Sequence, residues 1–401
     1  MGGMSGPSVA KKVTWIELYF DLVFVLAIAR VAHVVAAGPG WRAVWTGVGI
    51  FAVLWWTWIG FALFYNRYGD EGSRAQRLLI IAGTIPCGLA AVAVDDLAHG
   101  HRMAFTLSMV AVRLVLAVAH IIRPGKVSTK VGAGYIVSAA GFAASMFLGA
   151  PWWWIVWAAM LVVESAIVFA APSPYDHLTD AQSKEIRSNW RKAIEVVRPA
   201  DPEFALQGNH LAERFGLFII IVLGEVVASS GAGALEAGAG QLAWLALGGA
   251  IALSAVLWWV YFDAASVFDE RLLLISGGAP SIARSTYAFG QMGPAFGLIM
   301  VAAGLRQLID GHAGSMAYWL LAVGVGVYLL FNRVDGEVSW GWWLRFAAVI
   351  ATFQLGWLYL VLPGQAYIWV VCAWAAVCAY SAGIGGRRAR ALLEAKVDAT
   401  A

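Results

Sequence analysis

Charge is what this chain has least of: only 13% of its 401 residues are Asp, Glu, Lys or Arg, about half the share in a soluble globular domain. That scarcity excludes an ordinary water-soluble fold. Cysteine is nearly absent, and Cys87, Cys372 and Cys378 each sit inside an apolar run, so neither a disulfide framework nor a CxxC metal site is implied. There is no P-loop, no GxGxxG or GxSxG after a strand, and no HExxH. Nucleotide, dinucleotide and zinc-hydrolase chemistry therefore lack their usual residues, and no cofactor or metal is expected. Basic residues are scattered over many short segments instead of one patch, which argues against nucleic-acid binding. Met1 to Lys12 has no apolar core with a cleavage site, so no removable signal peptide is expected.

What is present is apolar length. Hydrophobic residues make up 61% of the chain and the mean hydropathy is +0.74. Runs of about 20 residues, each long enough to cross a hydrocarbon core of about 30 Å, recur from end to end. The expected fold is all-α: a polytopic membrane helix bundle of about twelve transmembrane helices. The spans are predicted at about 14–37, 42–65, 75–97, 102–122, 130–149, 151–171, 210–230, 240–265, 282–305, 314–331, 342–361 and 366–384. With the N-terminus inside, 21 of the 27 basic residues fall on cytoplasmic segments, and only Arg42, Arg102 and Arg306 fall outside. This bias predicts a bacterial inner-membrane protein with both termini cytoplasmic.

The longest hydrophilic stretch, 172–209, divides the chain into a membrane half at 1–171 and another at 210–386, with a basic tail at 387–401. Within it Ile186, Trp190, Ile194 and Val197 share one face of a predicted amphipathic helix over Asp180–Val197, placed at the membrane interface or in solvent as a linker. The halves read as parallel six-helix repeats. Glu17 to Ala29 answers Glu213 to Glu225, Leu54-Trp55-Trp56 answers Leu257-Trp258-Trp259, and a proline turn precedes each final span. The 21 tryptophans concentrate near span ends, as in interfacial belts.

Against this apolar background the ionisable residues within spans stand out, since each costs about 2.5–3.5 kcal/mol near the bilayer centre on insertion scales. The first span carries Glu17 and Asp21 on one face, with Arg30 and His33 on roughly the opposite one. The seventh carries Glu213, Arg214 and Glu225, the last two about 16 Å apart along the helix and so unable to pair. Arg113 in the fourth span is a candidate counter-ion for Asp21 or for Glu164 in the sixth. Two readings stay open: a satisfied polar cluster joining helices, or a cavity that handles an ion or polar solute. In the second, Asp21 and Glu225 bind a cation or proton and Arg113 and Arg214 tune them. His33 then lies on the outer path, and Glu17 and Glu213 line the inner mouth or reach out to water. Asp95, Asp96, His99 and His101 gather in a loop without metal-ligand spacing, read as solvated, and with no nucleophile motif beside them the chain is not expected to be an enzyme.

Two stretches together resemble the bacterial low-temperature-requirement A family. Trp15 to His33, WIELYFDLVFVLAIARVAH, is similar to that family's ELFFDLVFVFA segment, and His210 to Glu225, HLAERFGLFIIIVLGE, to its second signature. Arg77, Arg113 within AVRLVL, and Arg284 to Gly304 add to the likeness, which spans most of the chain. The resemblance implies characteristic polar residues at Glu17, Asp21, His33, Glu213, Arg214 and Glu225. Arg30, where the family pattern leads one to expect a neutral polar residue, and Gln291, where it leads one to expect histidine, depart from it. The family is named for growth in the cold, and the resemblance implies no assigned molecular activity. The expected function is a transporter or channel for a small ion or polar solute. The alternative is a non-transport structural or cold-adaptation role, with the lipid bilayer as the one expected partner and the oligomeric state open. A fluorescent protein fused after Ala401 is expected to light up, and alkaline phosphatase fused there to stay silent; the reverse would overturn the topology.

Overall fold

The computed structural model describes residues 12–381, apart from 39, 71, 172–174, 180–181, 183–195, 202–203, 312–313 and 333–339. The predicted interfacial helix at 180–197 falls almost wholly, and the basic tail entirely, outside the described residues. What is described is helical from end to end, and nine helices are long and apolar enough to cross a membrane.

The first, α1 (Trp15–Ala37), starts where Thr14 caps it. The Thr14 hydroxyl accepts from the Glu17 amide at 3.4 Å while Glu17 Oε2 accepts from the Thr14 amide at 3.1 Å, a reciprocal capping box. Next comes α2 (Gly40–Tyr68), whose apolar window is 83% buried, as a helix hydrophobic on every side must be. Around it stand α3 (Arg74–Val92), the short α4 (Val94–Ala98), α5 (Met103–Ile121), α6 (Lys126–Ser145) and α7 (Trp152–Val168). The second half opens with α8 (Gly208–Glu236) and α9 (Gln241–Val260), which runs through a π-helical turn, Tyr261–Ala265, into α10 (Ser266–Ile275). Pro280 opens the one-turn α11 (Pro280–Ala283), and a second π turn, Arg284–Phe289, leads into α12 (Met292–Ile309). Last come α13 (Ser315–Phe331), α14 (Trp340–Gln354) with a tight turn over Leu355–Leu360, and α15 (Gly364–Ser381).

A helix covers each of the twelve predicted spans, but three differ from the expectation in length or polarity. α7 and α13 are apolar yet only 17 residues long, and α6, with two lysines and many small and hydroxyl residues, is not among the nine. The predicted third span breaks at Ala93, so Asp95 and Asp96 lie in a short helix of their own, not in a loop.

The centre is formed by α1, α2, α8 and α12, each of which touches the other three. Two of these four are the most buried, α2 at 83% and the window within Pro280–Ile309 at 72%, against only 17% for that of Trp343–Leu360. The tryptophans correct a sequence-based expectation here. Trp15, Trp45 and Trp152 are exposed near helix ends, but Trp55, Trp58 and Trp157 are sealed in the interior. The Leu54-Trp55-Trp56 and Leu257-Trp258-Trp259 motifs also part company, the first buried and Trp258 and Trp259 exposed.

α12 and α13 lie backbone against backbone. A Cβ at Gly297 would stand 2.8 Å from the Gly324 carbonyl oxygen, and one at Gly324 would stand 2.6 Å from that of Gly297. Small residues that let helix backbones touch are the usual means of association where lipid is the solvent. Gly297→Leu is therefore expected to lower stability by about 1–3 kcal/mol, read as thermal unfolding in detergent, while Gly231→Ala, inside α8 with open space around it, does not lower it.

Candidate functional site

The central helices bring three sequence-predicted residues into one cluster. Arg214 of α8 reaches across to α1, its Nη1 donating to Glu17 Oε1 at 2.6 Å and its Nη2 to Asp21 Oδ1 at 3.2 Å. Glu17 and Asp21 are four residues apart and so one turn apart on one face, the geometry a single guanidinium can span. Trp58 of α2 donates its indole N–H to the same Asp21 oxygen at 2.7 Å. All four side chains are shut off from solvent.

His210, one turn before Arg214, completes the Glu17 end, its Nε2 standing 3.2 Å from Glu17 Oε2. Asn66 fixes its tautomer. The Asn66 carboxamide is oriented by Gln207, whose backbone N–H donates to Oδ1 at 2.9 Å and whose carbonyl accepts from Nδ2 at 2.9 Å. Nδ2 then points at His210 Nδ1, 3.1 Å away, and makes it an acceptor. The ring proton is thereby placed on Nε2, and His210 donates to Glu17 as a neutral imidazole. The cluster thus holds two carboxylates against one guanidinium. Asp21 Oδ2 and Arg214 Nε are buried and without a hydrogen-bond partner among the described residues.

Arg113 and Glu164 form a separate pair within the first half. Arg113 Nε donates to Glu164 Oε1 at 2.8 Å and Nη2 to Oε2 at 3.4 Å, while Nη1 donates to Thr57 Oγ1 at 3.2 Å. Ser138 donates to Glu164 as well, and the guanidinium lies 4.1 Å from the centre of the Phe142 ring. Of the two counter-ions foreseen for Arg113, Glu164 is the one bonded; Asp21 is taken by Arg214. Every polar end of this pair is met, the arrangement of a structural clasp.

The remaining predicted residues lie elsewhere. Glu225 and His33 line a cavity of about 300 Å³ near the C-terminal ends of α1 and α8, together with Arg30, Ser229 and Arg306. Six alanines form much of its wall, leaving room that larger side chains would fill. Glu225 accepts from Ser229 at 2.5 Å, Arg30 pairs with Asp95 at 3.0 Å, and Arg306 pairs with Glu236 at 2.5 Å. Glu213 is exposed and accepts from the Val13 amide at 3.1 Å. The expectation that Glu17 and Glu213 share an inner mouth is corrected: Glu17 is sealed by its capping and arginine bonds, Glu213 faces outward. Asp21 and Glu225 do not meet either, because Arg214, which holds Asp21, lies about 16 Å down α8 from Glu225.

Sequence reasoning passed over Trp58, Asn66 and His210. An indole N–H in mid-span needs an acceptor, and that need was the available signal for Trp58. Arg214→Met is expected to leave Glu17 and Asp21 as buried, uncompensated carboxylates and to cost about 3–5 kcal/mol. Arg113→Met should cost a similar amount, most of it recovered when Glu164→Leu is added; full additivity in thermal unfolding would refute the paired assignment.

The model of the family described as bacterial low temperature requirement A protein (LtrA) matches residues 12–382, which include both clusters and the cavity. No curated protein and no solved structure is significantly similar to the chain. Because the family match runs over nearly the full length, this chain belongs to the bacterial low temperature requirement A family.

Proposed function

We propose that the chain is a transporter or channel of the bacterial inner membrane for a small ion or polar solute, with twelve spans in two parallel six-helix halves and both termini cytoplasmic. The observation that carries this reading is Asp21 Oδ2, a buried carboxylate oxygen without a partner among the described residues, in a cluster one positive charge short of balance. Bare burial of such an oxygen is costly. Taking up one proton or one small cation removes the imbalance. Asp21 is the group that does so, since Glu17 already accepts from Arg214, Thr14 and His210.

The cavity between α1, α8 and α12 is the second part of the reading. At about 300 Å³ it sits at the lower end of small-molecule sites. Glu225, Ser229, His33 and two arginines give it polar groups of both signs. Support for the two halves comes from packing: α1 lies on α2 and α3, and α8 lies on α9 and α12, the corresponding helices of the second half. A structural role is the second reading, favoured by the fully bonded Arg113–Glu164 clasp.

Purified protein in liposomes, scanned for flux of protons, monovalent cations and small polar solutes, tests the proposal. Flux that falls at least about tenfold in Asp21→Asn and in Glu225→Gln is the expected result. Absence of flux throughout would favour the structural role, and flux indifferent to both substitutions would overturn the assignment of Asp21 and Glu225 as its carriers.

A further inference from the structure

The fully buried acids of the spans, Glu17, Asp21 and Glu164, each meet an arginine, whereas Asp269, between spans at the edge of the bundle, meets none among the described residues. Glu17 and Asp21 share Arg214, and Glu164 has Arg113. Asp269 of α10, half-buried between the two π turns, has no cation: its one hydrogen bond among the described residues is from Gln291 Nε2 to Oδ2 at 2.8 Å. Gln291 directly precedes α12 and is 3% exposed. Arg271, two residues further along α10, projects about 200° round the helix and away.

Two more polar atoms here are unspent. Gln291 Oε1 and the Tyr287 hydroxyl are both buried without a partner among the described residues. Tyr287 belongs to the second π turn and Tyr261 begins the first; both rings are within electrostatic range of Asp269. Tyr328 of α13 lies beyond Tyr261, and Glu270 beside Tyr287. Single π turns inside α-helical runs recur at functional sites. Here two of them converge on one carboxyl group.

These partners suit both charge states of an acid. The carboxylate accepts from Gln291 Nε2, as observed. The protonated acid needs an acceptor for its new O–H, and Gln291 Oε1, brought round by a half-turn of the amide, or the Tyr287 oxygen provides one. No cation competes for the proton's place. We propose that Asp269, Gln291 and Tyr287 form a proton-binding site at the end of the bundle where α1 and α8 begin, distinct from the Asp21 cluster. Phe215 of α8 separates the two, its ring 4.8 Å from that of Trp58 and 4.9 Å from that of Tyr287. The electrostatics agree with the geometry: surrounding protein pushes the Asp269 carboxyl up from 3.8 to about 7, opposed only by the Gln291 hydrogen bond.

The site does not rest on transport, and its test needs none. The full chain in lipid nanodiscs is titrated from about pH 5 to 9 while infrared difference spectra follow the C=O stretch of a protonated carboxyl group. A band with midpoint about 7 is expected in the parent protein and in Asp21→Asn, and is lost in Asp269→Asn. Gln291→Leu, which removes the donor to the ionised form, raises the midpoint by about one unit. Thermal unfolding supplies an independent readout. Because the folded chain holds this proton and the unfolded one releases it near 3.8, stability falls as pH rises from there to about 7 and levels off above. Asp269→Asn abolishes that fall. A titrating band that survives Asp269→Asn, a midpoint unmoved in Gln291→Leu, or no titrating band at all would overturn the proposal; where Asp269→Asn does not fold, the Gln291→Leu midpoint decides alone.

Discussion

Arg214 is the cation on which the packing of α8 against α1 turns. It belongs to α8, yet both of its ion-pair partners are on α1, nearly two hundred residues earlier in the chain. In lipid there is no gain from hiding one apolar helix behind another, so helices are held by close packing and by polar groups that have nowhere else to go. A guanidinium within the bundle is such a group. It fixes the register of α8 against α1, since a slip by one residue would turn Arg214 about 100° away from Glu17 and Asp21. Trp58 adds α2 to the same arrangement and Asn66 holds the imidazole that backs Glu17.

Around that point the interior is divided by rings. Trp55 and Trp58 stack with centres 5.6 Å apart, and Phe215 and Phe218 lie against both. Trp55 donates its N–H to the Ala288 carbonyl at 2.7 Å, tying the aromatic group to the second π turn. Such a wall separates the Arg214 cluster from Asp269 by distance and not by screening, since charges interact more strongly across a low dielectric than across water.

The helices were legible because lipid imposes one simple rule, apolar runs of about 20 residues, and the described chain has a helix at each predicted run. Glu17, Asp21, Glu164, Arg113 and Arg214 were legible as scarce charges needing partners. Which arginine goes with which acid was not, since that depends on rotation and depth of helices far apart in sequence. The same limit hid His210 and Asn66, polar residues at span ends where water would satisfy them equally well. Trp55 and Trp58 went unread as core because tryptophan composition points to interfaces, whereas here two rings fill a centre that four crossing helices leave open. Asp269 was passed over because it lies between predicted spans, where an aspartate is ordinary; only the π turns fold it beneath Tyr287 and Gln291.

Glu17 serves two structures at once. One of its oxygens closes the capping box on Thr14 and the other receives Arg214. Secondary structure at the start of α1 and the tertiary contact to α8 are therefore a single cooperative unit. Anything that draws Arg214 toward Asp21, such as a change of charge there, loosens its hold on Glu17 and with it the first turn of the helix. The backbone amides of Thr14 and Glu17 are in this sense a built-in gauge, whose rate of deuterium exchange follows the state of a cluster that solvent does not reach.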